Sequence, residues 1–193
     1  MRAVLLIVVG YVCGSIPFGV LLARWLRGVD VRTRGSGNIG ATNVARVAGR
    51  KVGLAVLALD ALKGASPVLL AKALLPLESG VHVEVGLAAV LGHVFPIWLR
   101  MRGGKGVATA AGVLLVLAPS AALAGALAYA AVIAVLRMSS VGSLAGGAVA
   151  VAVAWLTPTP REPAMLTSLF FALIVWRHRA NIRRLVRRSE LKL

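Results

Sequence analysis

Acidic side chains are scarce: six Asp and Glu stand against 22 Lys and Arg, for a formal net charge of +16 over 193 residues. Histidine is limited to three positions and cysteine to one. With so few carboxylates and imidazoles, and no paired-ligand spacing among them, a metal centre is poorly supported and none is expected. The lone cysteine, Cys13, excludes a disulfide and any C-x-x-C redox or metal motif. Val12 precedes it where a lipoprotein cleavage site would want a small residue, so Cys13 reads as an ordinary helix residue. Aromatics make up only 5% of the chain. Without an aromatic-rich platform to stack bases, the strong positive charge is not evidence for a nucleic-acid partner.

What the chain does have is apolar sequence. It is 59% hydrophobic and 15% charged, with a mean hydropathy of +0.89; soluble domains lie near 45–50% and about 25%. Apolar runs cover approximately 3–23, 52–75, 83–99, 107–118, 120–136, 141–156 and 164–176, and several approach the roughly 20 residues needed to cross a bilayer. Arg2 precedes the first run and no A-x-A-like site follows it, so that run is expected to be an uncleaved first span. The pair around Ala118-Pro119-Ser120 can be one kinked helix or two spans joined by a tight turn.

Charge parity favours two. With seven spans and the N-terminus outside, eighteen basic residues fall on the inner side, in 24–51, 100–105, at Arg137 and in 177–193. Only Arg2, Lys72 and Arg161 fall outside, matched there by Glu78, Glu84 and Glu162. A six-span arrangement would put Arg137 or the basic tail on the wrong side of the membrane. The expectation is therefore an all-α integral membrane protein of seven transmembrane helices with a cytoplasmic C-terminus. It forms a single polytopic domain over 1–193, with cytoplasmic loops at 24–51, 100–106 and 137–143 and a basic cytoplasmic tail at 177–193. The basic inner face also favours anionic membrane lipids.

One motif is misleading. Gly35-Ser36-Gly37-Asn38-Ile39-Gly40 spells G-x-G-x-x-G, and Asp60 follows Gly40 by twenty positions. A dinucleotide-binding unit needs the glycines after a strand and the acidic residue at the end of the next one. Asp60 instead lies within an apolar run too long for a strand, which excludes that reading.

Read as a cytoplasmic loop, the same stretch suggests an anion site. Gly35, Gly37 and Gly40 permit positive φ, so successive N–H groups can converge on one point, and Ser36 adds a hydroxyl. Residues 41–49 predict a short helix with Thr42 or Asn43 as cap and Gly49 as stop, and Arg46 on it supplies a bidentate cation. A second element, Gly103-Gly104-Lys105-Gly106, opens the fourth span from the same side. It is not a P-loop, because no glycine stands at Leu99 and Gly106 follows the lysine, yet it aims a helix start and an ammonium at one surface. A third is His178 with Asn181, three apart and so on one helical face. Ser139, Ser140 and Ser143 start the sixth span; capping suits the first two, and Ser143 is assigned to the site. Within the second span, Asp60 and Lys63 have i,i+3 spacing. They can neutralise each other, and as intramembrane charges they are also functional candidates. His93, near the inner end of the third span, suits helix packing or catalysis equally.

In order and spacing, these residues resemble a known family. The segments are Tyr11-x-x-Gly14-Ser15-Ile16-Pro17-Phe18-Gly19, residues 35–43 with Arg46, Asp60-x-x-Lys63-Gly64, Gly92-His93-x-Phe95-Pro96, residues 103–109 and His178-x-x-Asn181. Together they resemble the integral-membrane acyl-phosphate:glycerol-3-phosphate acyltransferases, the PlsY family. One departure is Met101-Arg102, where that family usually carries an aromatic residue and then lysine. The H-x-x-x-x-D pair of soluble-type glycerolipid acyltransferases is absent: Leu87, Trp98 and Arg183 stand where the acid would follow His82, His93 and His178.

The resemblance implies transfer of a fatty acyl group from acyl phosphate to the 1-hydroxyl of glycerol 3-phosphate, giving lysophosphatidic acid and inorganic phosphate. It implies a bacterial inner-membrane enzyme with a cytoplasmic active site and no cofactor. On that basis the loop containing Ser36 to Gly40 is expected to hold acyl phosphate, and Gly35, Thr42, Asn43, Gly103 and Gly104 are further substrate-binding candidates. Arg46, Lys105, His178 and Asn181 would grip glycerol 3-phosphate, assisted by Ser143. His178, His93 or the departing phosphate would take the hydroxyl proton. The alternative from the residues alone is a transporter or channel for phosphorylated solutes. Against it, the glycine-rich segments cluster at one face and show no internal repeat.

Overall fold

A computed structural model describes residues 1–192, and all regular structure among them is helical. The chain divides into two compact units, residues 1–113 and residues 114 onward. In the first unit are α1 (Arg2–Ser15), α2 (Phe18–Arg27), α3 (Ala41–Ala48), α4 (Arg50–Leu74) and α5 (Ser79–Val94), then a 3₁₀ turn (Ile97–Leu99) and the start of α6 (Val107–Leu117). In the second are α7 (Pro119–Leu136), α8 (Ser139–Leu156), α9 (Arg161–Arg177) and α10 (Arg179–Val186).

Five segments are long and apolar enough to cross a membrane: Arg2–Arg27, Arg50–Leu74, Ser79–Leu99, Pro119–Leu136 and Ser139–Leu156. The first run is not a single rod. Pro17 has no N–H to donate, and the backbone leaves helical geometry at Ile16 (ψ 117°) before α2 resumes. Around Pro119 there are two helices. Only Ala118 (φ −147°) separates α6 from α7, and the proline takes the first turn of α7, where a missing N–H costs nothing.

Small residues set the packing within the first unit. A Cβ at Gly14 would overlap the Ala89 backbone, and one at Gly92 the Tyr11 carbonyl, so α1 and α5 touch main chain to main chain. Gly64 meets the Thr109 carbonyl while Gly112 meets that of Ala61, a reciprocal contact between α4 and α6. At one end, Val20, Ala23, Val31, Ile39, Val44, Ala48, Val52 and Val56 form a buried apolar cluster. This cluster ties the segment between α2 and α3 to α4, giving that polar loop a rigid floor. Within the second unit, α7 and α8 approach through Gly125 and Gly146, and Gly147 packs against the Phe171 ring.

Two expected caps are corrected. Gly40, not Thr42 or Asn43, is the N-cap of α3, without a side-chain cap bond. Met138 precedes α8, likewise without a side-chain cap, because Ser139 and Ser140 turn to other partners: Tyr129 Oη at 3.1 Å and Glu190 Oε1 at 2.8 Å.

Candidate active site

The glycine-rich loop is built around one side chain. Asn43, only 1% exposed on the first turn of α3, points back into the loop. Its Oδ1 accepts from Ser36 N at 2.8 Å, and its Nδ2 faces the carbonyls of Val31, Arg34 and Asn38 at 3.0, 3.1 and 2.9 Å. Gly35 (φ +60°) must be glycine twice over, since a Cβ there would also strike Asn43 Oδ1. Gly37 (φ +71°) donates to Arg34 O at 3.0 Å, and Gly40 N donates to Asn38 Oδ1 at 2.8 Å. The amides of Ser36, Gly37 and Gly40 are thus committed inside the loop, contrary to the expectation that they converge outward on an anion. What the loop presents is the exposed Ser36, while Asn38, Thr42 and Arg46 are half-buried beside it. Ahead of the loop, Arg32 grips Asp30 bidentately at 2.9 and 2.6 Å. Those hydrogen bonds hold the Asp30 carboxyl below the usual carboxylate range.

The second glycine element also spends its amides internally. Gly103 N donates to Val94 O and Gly104 N to His93 O, both at 3.1 Å, which lays the turn along the end of α5. A Cβ on Gly103 would overlap the His93 carbonyl, and one on Gly104 the His93 Nε2. These glycines therefore serve close approach, and the half-buried Lys105 is the group that follows from the turn. His93 is enclosed (4% exposed) and lies near Asp60, which pairs with Lys63 at 2.8 Å.

In the second unit, His178 interrupts the helix, ending α9 and starting α10. It is not part of one continuous helix with Asn181, although both are buried. His178 Nδ1 lies 2.8 Å from Ile174 O. A carbonyl only accepts, so Nδ1 carries the proton and Nε2 of the neutral ring is the basic nitrogen. Ser143 donates to Ser139 O at 2.8 Å.

Glu190 is the residue that the sequence reading missed. Its Oε1 accepts from Asn181 Nδ2 at 2.6 Å and from Ser140 Oγ at 2.8 Å, and its Oε2 accepts from Arg184 Nε at 2.8 Å. Burial alone would raise its pKa, but those three donors outweigh burial and hold it below the usual value. One carboxylate thereby sets the orientation of the Asn181 amide. Its signal in the sequence was being the sole acid in a tail with seven basic residues. Among the described residues, no three His, Cys, Asp or Glu side chains gather as a metal would require.

Comparison with known proteins agrees along the whole chain. Residues 4–188 match the family model described as glycerol-3-phosphate acyltransferase. A glycerol-3-phosphate acyltransferase of Myxococcus xanthus (strain DK1622) is 67% identical over 185 residues, covering 96% of each chain. One from Anaeromyxobacter dehalogenans (strain 2CP-1 / ATCC BAA-258) is 53% identical, over 98% of this chain and 96% of its own. The crystal structure of PlsY (YgiH), an integral membrane glycerol 3-phosphate acyltransferase, is similar in its glycerol 3-phosphate form. The TM-score is 0.94 at 40% identity, covering 100% of this chain and 96% of that one. Its lysophosphatidic acid form gives 0.92 at 39% identity, with the same coverage.

Proposed function

This chain belongs to the glycerol-3-phosphate acyltransferase family, and from that premise we propose that its acyl donor is an acyl phosphate and its product lysophosphatidic acid. It is a membrane acyltransferase acting on glycerol 3-phosphate, which removes the transporter alternative. The observation that carries the reading is full-length similarity, at 40% identity, to a structure solved in its glycerol 3-phosphate form.

In the proposed reaction, the 1-hydroxyl oxygen of glycerol 3-phosphate attacks the carbonyl carbon of acyl phosphate. The bond from that carbon to the phosphate oxygen breaks, and phosphate leaves with the electron pair. Phosphate is already a good leaving group, so no covalent enzyme intermediate is needed. Two acceptors suit the hydroxyl proton: the basic Nε2 of His178 and the departing phosphate itself. His93, packed between Asp60 and Gly104, is better suited to holding the fold. The loop carrying Ser36 serves the acyl phosphate. Arg46, Lys105, His178 and Asn181, with Ser143, grip and orient glycerol 3-phosphate, and the two cations also offset the charge developing on the carbonyl oxygen.

We place the enzyme in the bacterial inner membrane as one polytopic domain, with seven crossings, the N-terminus outside and the reaction at the cytoplasmic face. The five long segments are joined in this reading by α9 and α6. The charge asymmetry supports it. So does the helix pair at Pro119. The 11 residues of α6 rise only about 17 Å, so its crossing relies on the non-helical residues before it.

The test is an assay in detergent or lipid, with chelator present, offering acyl phosphate or acyl-CoA alongside glycerol 3-phosphate. Lysophosphatidic acid formed from acyl phosphate alone is the expected result. Product from acyl-CoA alone overturns the donor assignment.

A further inference from the structure

Three charged or titratable side chains lie deep in the first unit, and the roles assigned above do not use them. Asp60 is 2% exposed, Lys63 3% and His93 4%. Burying charge is expensive, and a merely structural pair could be replaced by apolar residues at little cost. What matters is what each member touches. Lys63 Nζ lies 2.8 Å from Asp60 Oδ1 and donates to Ile16 O at 2.7 Å. That carbonyl belongs to the break between α1 and α2, where helical bonding is interrupted. Asp60 Oδ1 also lies 3.7 Å from His93 Nδ1, an electrostatic separation and not a hydrogen bond.

The other edge of the His93 ring faces Gly104 so closely that a Cβ there would overlap Nε2. The His93 carbonyl accepts from Gly104 N at 3.1 Å. Further support surrounds the same turn: Tyr11 donates to Phe95 O at 2.7 Å, and Gly106 (φ +84°) packs against Val90 and Val94. Lys105 is therefore carried between Gly104, which lies against the imidazole, and Gly106, which packs on Val90 and Val94. That imidazole has Asp60 on its far side.

We infer that Asp60 is a positioning residue for Lys105, acting through His93, with Lys63 as the counter-ion that holds its carboxylate in place. Glycine adds no side-chain contact that could hold the backbone around Lys105, so what the glycines pack against sets where the lysine starts. The buried carboxylate bounds the imidazole on one edge and attracts it electrostatically, the other edge and the His93 carbonyl hold Gly104, and Gly104 sets the root of the Lys105 side chain. The inference rests on the proposed role of Lys105 toward glycerol 3-phosphate.

The test uses the full-length enzyme in detergent. Variants are His93→Gln, the charge-neutral pair Asp60→Asn with Lys63→Gln, and Lys105→Ala as reference. The paired variant matters because Asp60→Asn alone would strand a buried ammonium and could fail to fold. Readouts are KM for each substrate, glycerol 3-phosphate binding by titration calorimetry, and the melting temperature.

Positioning predicts that His93→Gln and the paired variant melt near wild type yet raise the KM for glycerol 3-phosphate. A misplacement of about 1 Å is worth up to roughly a hundredfold, so tenfold or more is expected. The KM for the acyl donor stays within about twofold, because the Ser36 loop is untouched; this separation of the two constants is something a loosened fold would not produce. Wild-type affinity for glycerol 3-phosphate in the paired variant, with weakened binding in Lys105→Ala, overturns the positioning role alone. Equal loss of affinity for both substrates overturns it as well. Wild-type binding in Lys105→Ala overturns the assignment of Lys105 first, and the inference with it.

Discussion

Replacing Asn43 tests whether one side chain organises the glycine-rich loop. Alanine removes the acceptor for Ser36 N and the donor facing three carbonyls. The amide nitrogen has two N–H groups to share among the three carbonyls, so with the Oδ1 bond about three full bonds form, and at about 0.5–1.5 kcal/mol net for each they total roughly 1.5–4.5 kcal/mol. Ser36 and Arg34 are exposed, so water replaces part of the loss, and the lower half of that range applies. A loss of about 2–3 kcal/mol in loop ordering corresponds to roughly 30- to 150-fold in kcat/KM, at 1.4 kcal/mol per tenfold. Aspartate sharpens the test. It keeps the shape and the Oδ1 acceptor but aims a carboxylate oxygen at the same three carbonyls, turning attraction into repulsion. Asn43→Asp should therefore be less active than Asn43→Ala, although it is the nearer isostere. The assay is steady-state lysophosphatidic acid formation at varied acyl phosphate, with melting temperature as control. An aspartate variant as active as wild type, or clearly better than alanine, refutes the reasoning.

Lys105→Ala should lower transfer by about 10²–10³-fold, the scale of losing one charge-stabilising group, while membrane insertion, read by fractionation, stays normal; ordinary turnover would remove the lysine from the chemistry. Glu190→Ala leaves the amide of Asn181, the Ser140 hydroxyl and Arg184 without a shared acceptor. It should raise the KM for glycerol 3-phosphate more than Glu190→Gln does, since glutamine retains an acceptor at Oε1; equal effects would deny that orientation matters. Because the folded pKa of Glu190 is depressed below its ordinary 4.5, its stabilisation is fully present above that value and lost as pH falls through the folded one. Protection of 179–190 in hydrogen exchange should thus be flat from about pH 8 to pH 5, corrected for intrinsic rates, and fall only below it. Gly112→Leu would drive a side chain into the Ala61 backbone and should lower the melting temperature more than Gly80→Leu, where no atom lies within 4 Å.

The helices were legible because long apolar runs admit little else, and Pro119 marked its own break. The polar ends were harder to read. Asn43 has the composition of a cap, but its burial and its reach back across the loop are long-range facts that spacing cannot encode. Gly103 and Gly104 looked like an anion cradle because glycine also serves close approach, and only the neighbouring His93 decides between the two. Ser139 and Ser140 stand where caps belong, yet Tyr129 and Glu190, remote in sequence, claim their hydroxyls. Asp60 and Lys63 were legible as a pair from their spacing alone. Their link to the lysine turn runs through a histidine on another helix, which no local pattern reveals.

The lysine bond to the Ile16 carbonyl has a consequence for the N-terminal segment. A generic leucine-rich anchor of equal length would enter the bilayer as readily, but without the break at Ile16-Pro17 its carbonyls would stay in the helical ladder and none would turn toward the ammonium. Interchange of that segment should therefore yield a chain that is delivered and inserted yet inactive, so the first hydrophobic stretch is a working part and not only a tether.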